Sequence, residues 1–111
     1  MSTDLAKREC EPCKGGVPPL SEPEMAGLAK QLDPAWRIAD NHHLERSFKF
    51  DGYEAAVFFT NCVAGIAQEE NHHPDILLSY GEVTVTIWTH KIDGLTLSDF
   101  IFAAKVDEAV R

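Results

Sequence analysis

Along the chain the spacing of apolar positions switches between helical and alternating, and each switch marks an element. After Ser21, the residues Met25, Leu28, Ala29 and Leu32 recur at three and four positions, the stripe of an amphipathic helix. Ser21 and Glu24 have capping-box spacing, and Pro23 falls in the first turn, where its missing N–H does no harm. Asp33-Pro34 closes this helix, because a residue before proline avoids helical angles. Trp36, Ile38, Leu44, Phe48 and Phe50 recur at even spacing around the turn pair Asp40-Asn41. They predict a hairpin over 36–50, with Arg46 interrupting its apolar face. A second helix is predicted from Asp51, with Glu54 as capping-box partner and Tyr53, Ala56, Val57, Val63, Ala64 and Ala67 at helical spacing as far as Gln68-Glu69-Glu70. Gly65 lowers its propensity by about 1 kcal/mol. Phe58, Phe59 and Cys62 widen its apolar arc and predict burial on more than one side.

Ile76, Leu78 and Tyr80 predict a third strand, Gly81 a turn, and EVTVTIWTH over 82–90 the clearest strand of the chain. In that strand Val83, Val85 and Ile87 face one way, and Thr84, Thr86, Trp88 and His90 the other. Asp93-Gly94 is a further turn. Thr96 with Asp99 opens a third helix, with Phe100, Ala103, Ala104 and Val110 as its buried side. Helix, hairpin, helix, hairpin, helix is an α+β order: hairpins make antiparallel neighbours, and the helices between them cover one sheet face. The other face, with Trp88, is left to water or to another subunit. CEPCKGGVPP holds two Gly and three Pro in ten residues without periodicity. Residues 1–19 are therefore expected to be a partly mobile tail able to lie against a single domain over 20–111.

Composition narrows the function classes. With 111 residues, 44% hydrophobic and 25% charged, the chain is one globular domain rather than a disordered one. No run approaches the roughly 18 apolar residues of a membrane span, and the N-terminus has no apolar run of signal-peptide length. A net charge of −8 disfavours nucleic acid and anionic membranes as partners. Three cysteines, an odd and low count, fit a reducing compartment, so a cytoplasmic location is expected.

Five histidines, four of them in adjacent pairs, are the informative chemistry, since imidazole gives and takes protons near neutrality. Pro74 pushes His73 into an extended backbone, so the rings of His72 and His73 diverge at a helix-to-strand junction. If strands 76–80 and 82–90 pair through Gly81, His90 comes near His73, and local pairing alone gathers three imidazoles. Asp99 sits at a helix start, where the helix dipole favours a carboxylate that can orient an imidazole. His42-His43, beside a hairpin turn, reads as solvated; Trp36 and Trp88 read as core or interface, and Cys62 as packing. Cys10-x-x-Cys13 has metal-ligand spacing, but no second pair and no His-x₃₋₅-His follow, so zinc would have to borrow distant histidines. Neither a Gly-x-Ser-x-Gly nucleophile turn nor a phosphate-cradling glycine loop is present.

Asn71-His72-His73-Pro74-Asp75, followed by His90 and then by Gly94-Leu95-Thr96 with Asp99, resembles the pterin-4a-carbinolamine dehydratase family over about residues 20–110. The Cys10-x-x-Cys13 tail is similar to that of bacterial members. The resemblance implies a four-stranded antiparallel sheet with three helices on one face, assembled into homodimers or homotetramers. It implies dehydration of 4a-hydroxytetrahydropterin to quinonoid dihydropterin, which recycles the pterin of aromatic amino acid hydroxylases, with no metal or organic cofactor. His72 and His90 would then be acids near the leaving hydroxyl, and His73 would bind the pterin and take the N5 proton. Asp99, Pro74, Gln68 and Trp36 would support or bind substrate. Gln68 stands where many members carry an acid, and Glu69 is rotated about 100° from it around the helix. The alternative role implied is a non-catalytic module that escorts a hydroxylase or a transcription factor.

Overall fold

The computed structural model describes residues 5–10 and 18–110. Cys13 and most of the Pro/Gly-rich stretch lie outside the described residues, whereas residues 5–10 of the expected tail lie against the domain, with Leu5 2% exposed. Helix α1, Glu22–Ala29, starts on a complete capping box: Ser21 Oγ accepts from Glu24 N at 3.4 Å, and Glu24 Oε1 accepts from Ser21 N at 2.9 Å. Strands β1, Arg37–Ala39, and β2, His43–Lys49, form the expected hairpin. Asp40 and Asn41 turn it in left-handed conformation, φ 55° and 53°, which short polar side chains tolerate. Helix α2, Tyr53–Glu70, begins one residue later than its capping-box spacing suggests. Its cap is Gly52 at φ 108°, an angle open to glycine, and the chain turns there rather than at Asp51. Strands β3, Asp75–Ser79, and β4, Glu82–Ile87, follow, then helix α3, Leu97–Ala109.

The architecture is α+β, with one antiparallel sheet in the order β1-β2-β4-β3. Leu44, Phe48, Val83, Val85 and Ile87 share one face and are buried, under Ala56, Phe59, Val63 and Ala67 of α2 and Phe100 and Ala104 of α3. The opposite face carries Ser47, Lys49 and Leu77, and Leu77 is 65% exposed. Among the described residues no helix is long and apolar enough to cross a membrane.

Three expectations about packing change. Phe58 is 71% exposed, so α2 is not buried around its girth; the arc of Ala56, Phe59, Val63 and Ala67 faces the core, with Ile66 partly buried against it. Val110 caps α3 and is 39% exposed, whereas Ile101, Phe102 and Val106 are buried as well. The cause lies in the N-terminal segment: a single helical turn, Leu5–Lys7, packs on α3 with Leu5 2% exposed, so α3 is enclosed on a side that the sheet and α2 leave open. Finally, Arg46 does not break the inner face of β2. It points inward and binds Asp107 Oδ1 at 2.7 Å, with its guanidinium 4.3 Å above the Phe48 ring.

Candidate active site

Antiparallel pairing decides where the histidines go. Leu44 pairs with Ile87 and Asp75 with Thr86, so the starts of β2 and β3 and the end of β4 share one end of the sheet. His42-His43, His72-His73 and His90 all leave the ladders there, so five imidazoles belong to the same end of the fold.

His72 is placed by a helix ending. Asn71 closes α2 in left-handed conformation, φ 52°, and both Asn71 N and His72 N return to Ala67 O. The ring then lies edge-on to Phe102 and sets Nε2 2.6 Å from Asp99 Oδ1. Asp99 is completely buried at the third position of α3. Its other oxygen, Oδ2, accepts from Thr89 Oγ1 at 2.9 Å and from Thr96 N at 2.8 Å. Thr89 donates its hydroxyl proton there, so it accepts from Thr96 Oγ1 at 2.9 Å. The donors are saturated, and the carboxylate can only accept from His72. Nε2 therefore carries a proton, and in the neutral ring the lone pair is on Nδ1.

A second group surrounds Trp88. Its ring centroid lies 4.5 Å from that of His90, 5.3 Å from His42 and 6.0 Å from His43. His42 Nε2 donates to Asp93 Oδ1 at 2.8 Å, and His42 Nδ1 lies 3.1 Å from His43 Nδ1. Asp93 ends the turn that carries His90, closed by Thr89 N to Gly94 O at 2.9 Å. Gly94 is required there: a Cβ would stand 2.9 Å from Pro19 Cβ. Thr89 joins the two groups, because its side chain holds Asp99 and its chain neighbours are Trp88 and His90.

The expected residues thus fall into distinct places. His72 and Asp99 are brought together. His73 and His90 are exposed at the same end of the sheet, with Pro74 half-buried beside them, and Gln68 is exposed one turn before His72. His42-His43, expected to be solvated, is instead half-buried against Trp88; the hairpin register, carried across to β4, is the signal that locates it. Trp36, expected to support substrate, is committed to packing: its ring is edge-on to Phe48, and Nε1 donates to buried Asp107 at 2.6 Å. Cys62, expected to be buried, lines an open groove of about 620 Å³ with Phe50, Phe58 and Val110, on the opposite side of α2's length from His72. Among the described residues no group of three His, Cys, Asp or Glu side chains is arranged to hold a metal ion.

Comparison with known proteins gives a consistent picture. The family model described as pterin 4 alpha carbinolamine dehydratase matches residues 18–109. A relative from Rubrobacter xylanophilus, named "Putative pterin-4-alpha-carbinolamine dehydratase", is 56% identical over 105 residues, 95% of this chain and 97% of its own. One of the same name from Alkaliphilus metalliredigens is 50% identical over 95% of both chains. Among solved structures, a transcriptional coactivator/pterin dehydratase from Brucella melitensis superposes with a TM-score of 0.78 at 32% identity, over 84% of this chain and 99% of that one. A pterin dehydratase-like protein identified as a RuBisCO assembly factor in the alpha-carboxysome gives 0.58 at 25% identity, over 68% of this chain and 88% of its own.

Proposed function

The chain belongs to the pterin 4 alpha carbinolamine dehydratase family, and from that premise we propose that it dehydrates a 4a-hydroxytetrahydropterin to the quinonoid dihydropterin by imidazole acid–base chemistry. The observation that carries this reading is the His72–Asp99 pair, a ring fixed in one tautomer by a fully buried carboxylate at the end of the sheet that gathers the histidines. In the reaction the C4a–O bond breaks, the hydroxyl takes a proton and leaves as water, the N5 lone pair becomes the C4a=N5 bond, and N5 gives up its proton. One proton enters and one leaves, which suits groups that exchange protons near neutrality. His72 holds its proton at Nδ1 when charged, with Asp99 stabilising the imidazolium through Nε2–H, and delivers it to the hydroxyl. His90 is the second acid, set by its tilted contact with the Trp88 ring. His73 binds the pterin and accepts the N5 proton. Each positioned transfer contributes roughly 10²–10⁴ in rate. Gln68, where a carboxylate would add charge, can hydrogen-bond an imidazole but cannot stabilise its cation by charge. The assembly is a homodimer or homotetramer, a reading that exposed Leu77 and Tyr80 support by giving the edge strand an apolar surface to cover, and the low cysteine count supports a cytoplasmic location. An aromatic amino acid hydroxylase is the reaction partner that supplies the carbinolamine.

The test is direct. Chelator-treated protein accelerates loss of water from a chemically generated 4a-carbinolamine, and replacing His72, His73 and His90 together by alanine abolishes the acceleration. Full activity in the triple variant rejects the assignment. A second reading, a binding module without turnover, draws on the apolar groove around exposed Phe58 and on the assembly-factor and coactivator names of the two structural neighbours. It requires that Phe58→Ser, and not the histidine changes, remove function.

A further inference from the structure

We propose that Cys10 is a positioning residue of the candidate active site: it ties the C-terminal end of α2 to the N-terminal end of α3, the two ends that His72 and Asp99 also join. Cys10 N donates to Glu70 Oε1 at 2.9 Å, and Cys10 Sγ donates to Ser98 O at 3.4 Å. Glu70 is two residues before His72, and Ser98 directly precedes Asp99. The thiol segment therefore spans the same gap as the His72–Asp99 hydrogen bond, one short step along each chain. Both attachment points are firm. The Glu70 side chain is only 8% exposed and has Lys105 Nζ 3.7 Å from its other oxygen. Lys105 Nζ in turn donates to Ala6 O at 2.9 Å, and Leu5 anchors the segment in the core.

The S–H must keep its proton to donate. Burial, followed by the nearby Glu70 charge, pushes the thiol up to about 12, so it stays a neutral donor throughout the physiological range. A 3.4 Å S–H···O contact is weak alone. It matters because the partners at its two ends, Glu70 and Ser98, lie two residues and one residue from His72 and Asp99, which must be held to within about half an ångström for proton transfer.

The inference rests on the catalytic reading of His72–Asp99, so it is tested by two readouts, one of which needs no turnover. In the full chain, Cys10→Ala, Glu70→Ala and the double variant are compared with Cys10→Ser, whose hydroxyl can donate to the same carbonyl. Hydrogen exchange measured by mass spectrometry is expected to rise at least tenfold in the double variant for amides 70–73 and 97–100, and to stay unchanged in β2 and β4. kcat for the carbinolamine is expected to fall about threefold in Cys10→Ala and at least tenfold in the double variant, with KM within twofold, and Cys10→Ser is expected to recover it. Unchanged exchange at the two helix ends overturns the proposal. So does exchange that rises equally everywhere, or a kcat that stays put while exchange rises. Should the double variant fail to fold, the Cys10→Ala and Cys10→Ser pair decides by the same local exchange. Local exchange that responds in a protein whose wild type does not turn over the carbinolamine sinks the catalytic reading instead.

Discussion

Asp99→Asn isolates the role of the buried carboxylate without changing its shape. Asp99 receives three donors: His72 Nε2–H on Oδ1, and the Thr89 hydroxyl and Thr96 N–H on Oδ2. Asparagine has one acceptor oxygen and one NH₂. The oxygen belongs where two donors converge, at the Oδ2 position, so the NH₂ faces His72 Nε2. That nitrogen must then accept, and the ring's proton moves to Nδ1, the nitrogen available to substrate. His72, Thr89 and Thr96 keep partners, but the second N–H of the buried amide gains none, so stability should fall by about 1–3 kcal/mol. Catalysis should suffer, because a hydrogen bond to a charged group, worth about 1.5–3 kcal/mol, no longer stabilises the imidazolium. At about 1.36 kcal/mol per factor of ten this is a loss of about 10- to 150-fold in kcat. The assays are stopped-flow dehydration of the carbinolamine, ¹⁵N chemical shifts of the two His72 ring nitrogens, and urea unfolding. Asp99→Ala is the contrast: it orphans all three donors and should lose several kcal/mol of stability, at about 1–3 kcal/mol per buried unsatisfied group. An Asp99→Asn variant with an inverted tautomer and kcat within twofold of wild type would refute the reasoning. A tautomer that does not invert would refute the hydrogen-bond assignment itself.

Other expectations are independent of catalysis. Asp107→Ala should cost about 2–5 kcal/mol in urea unfolding, because Trp36 Nε1 and Asp33 N lose their acceptor and the Arg46 guanidinium, 15% exposed, loses its nearer counter-charge and keeps only Asp33 Oδ2 at 3.7 Å. The Cys10 thiol, raised from 9.0 to about 12, should react with iodoacetamide at pH 8 about a thousandfold more slowly in the folded chain than in the unfolded one. Because the folded chain holds that proton more tightly, stability should fall as pH rises from 9 toward 12, and Cys10→Ala should lack this slope by pH-dependent denaturation. Ser21→Ala should lose about 1 kcal/mol by breaking the capping box at α1. Glu24 is held below its usual 4.5 by hydrogen bonds from Ser21. Its contribution is therefore present above that value and lost as pH falls through the lowered one, a dependence that a pH series of melts should find missing in Glu24→Gln, whereas Ser21→Ala, which keeps the backbone N–H donor, should retain part of it.

Alternation and capping signals made most of the fold legible, since both are local. Val83, Val85 and Ile87 declared the central strand by period alone, and Ser21 and Glu24 declared the start of α1. What escaped depends on contacts between distant residues. Arg46 on an apolar face looks like a defect until Asp107, 61 positions away, supplies its partner. The apolar girth of α3 looks excessive until Leu5 covers it. His42-His43 looked solvated because its neighbour Trp88 belongs to another hairpin. The start of α2 was misread because Asp51 and Glu54 have cap spacing, and only the φ of Gly52 shows where the chain turns. At the site, Asp99 could be placed beside an imidazole from its position at a helix start, but Thr89 carried no signal: its role arises from the bridge to Gly94, which draws the end of β4 toward the start of α3.

The convergence of histidines is a property of topology before it is one of side-chain affinity. In an antiparallel sheet whose central pair is β2 and β4, every chain segment that enters β2, enters β3 or leaves β4 must pass the same end. The register that levels these segments is set at the opposite end, where Ser79 pairs with Glu82 around Gly81. Gly81 turns at φ 73°, its carbonyl accepts from Phe50 N at 2.8 Å, and a Cβ there would lie 3.1 Å from Phe50 O. A slip of one residue at that turn would exchange the faces of β3 and move its His72-His73 lead by one rise, about 3.3 Å, relative to Thr89 and Asp99. A proton cannot cross such a gap directly. The glycine farthest along the hairpin from the imidazoles thus sets the distance on which the proposed proton transfer depends, while Asp99 and Thr89 supply only the final alignment.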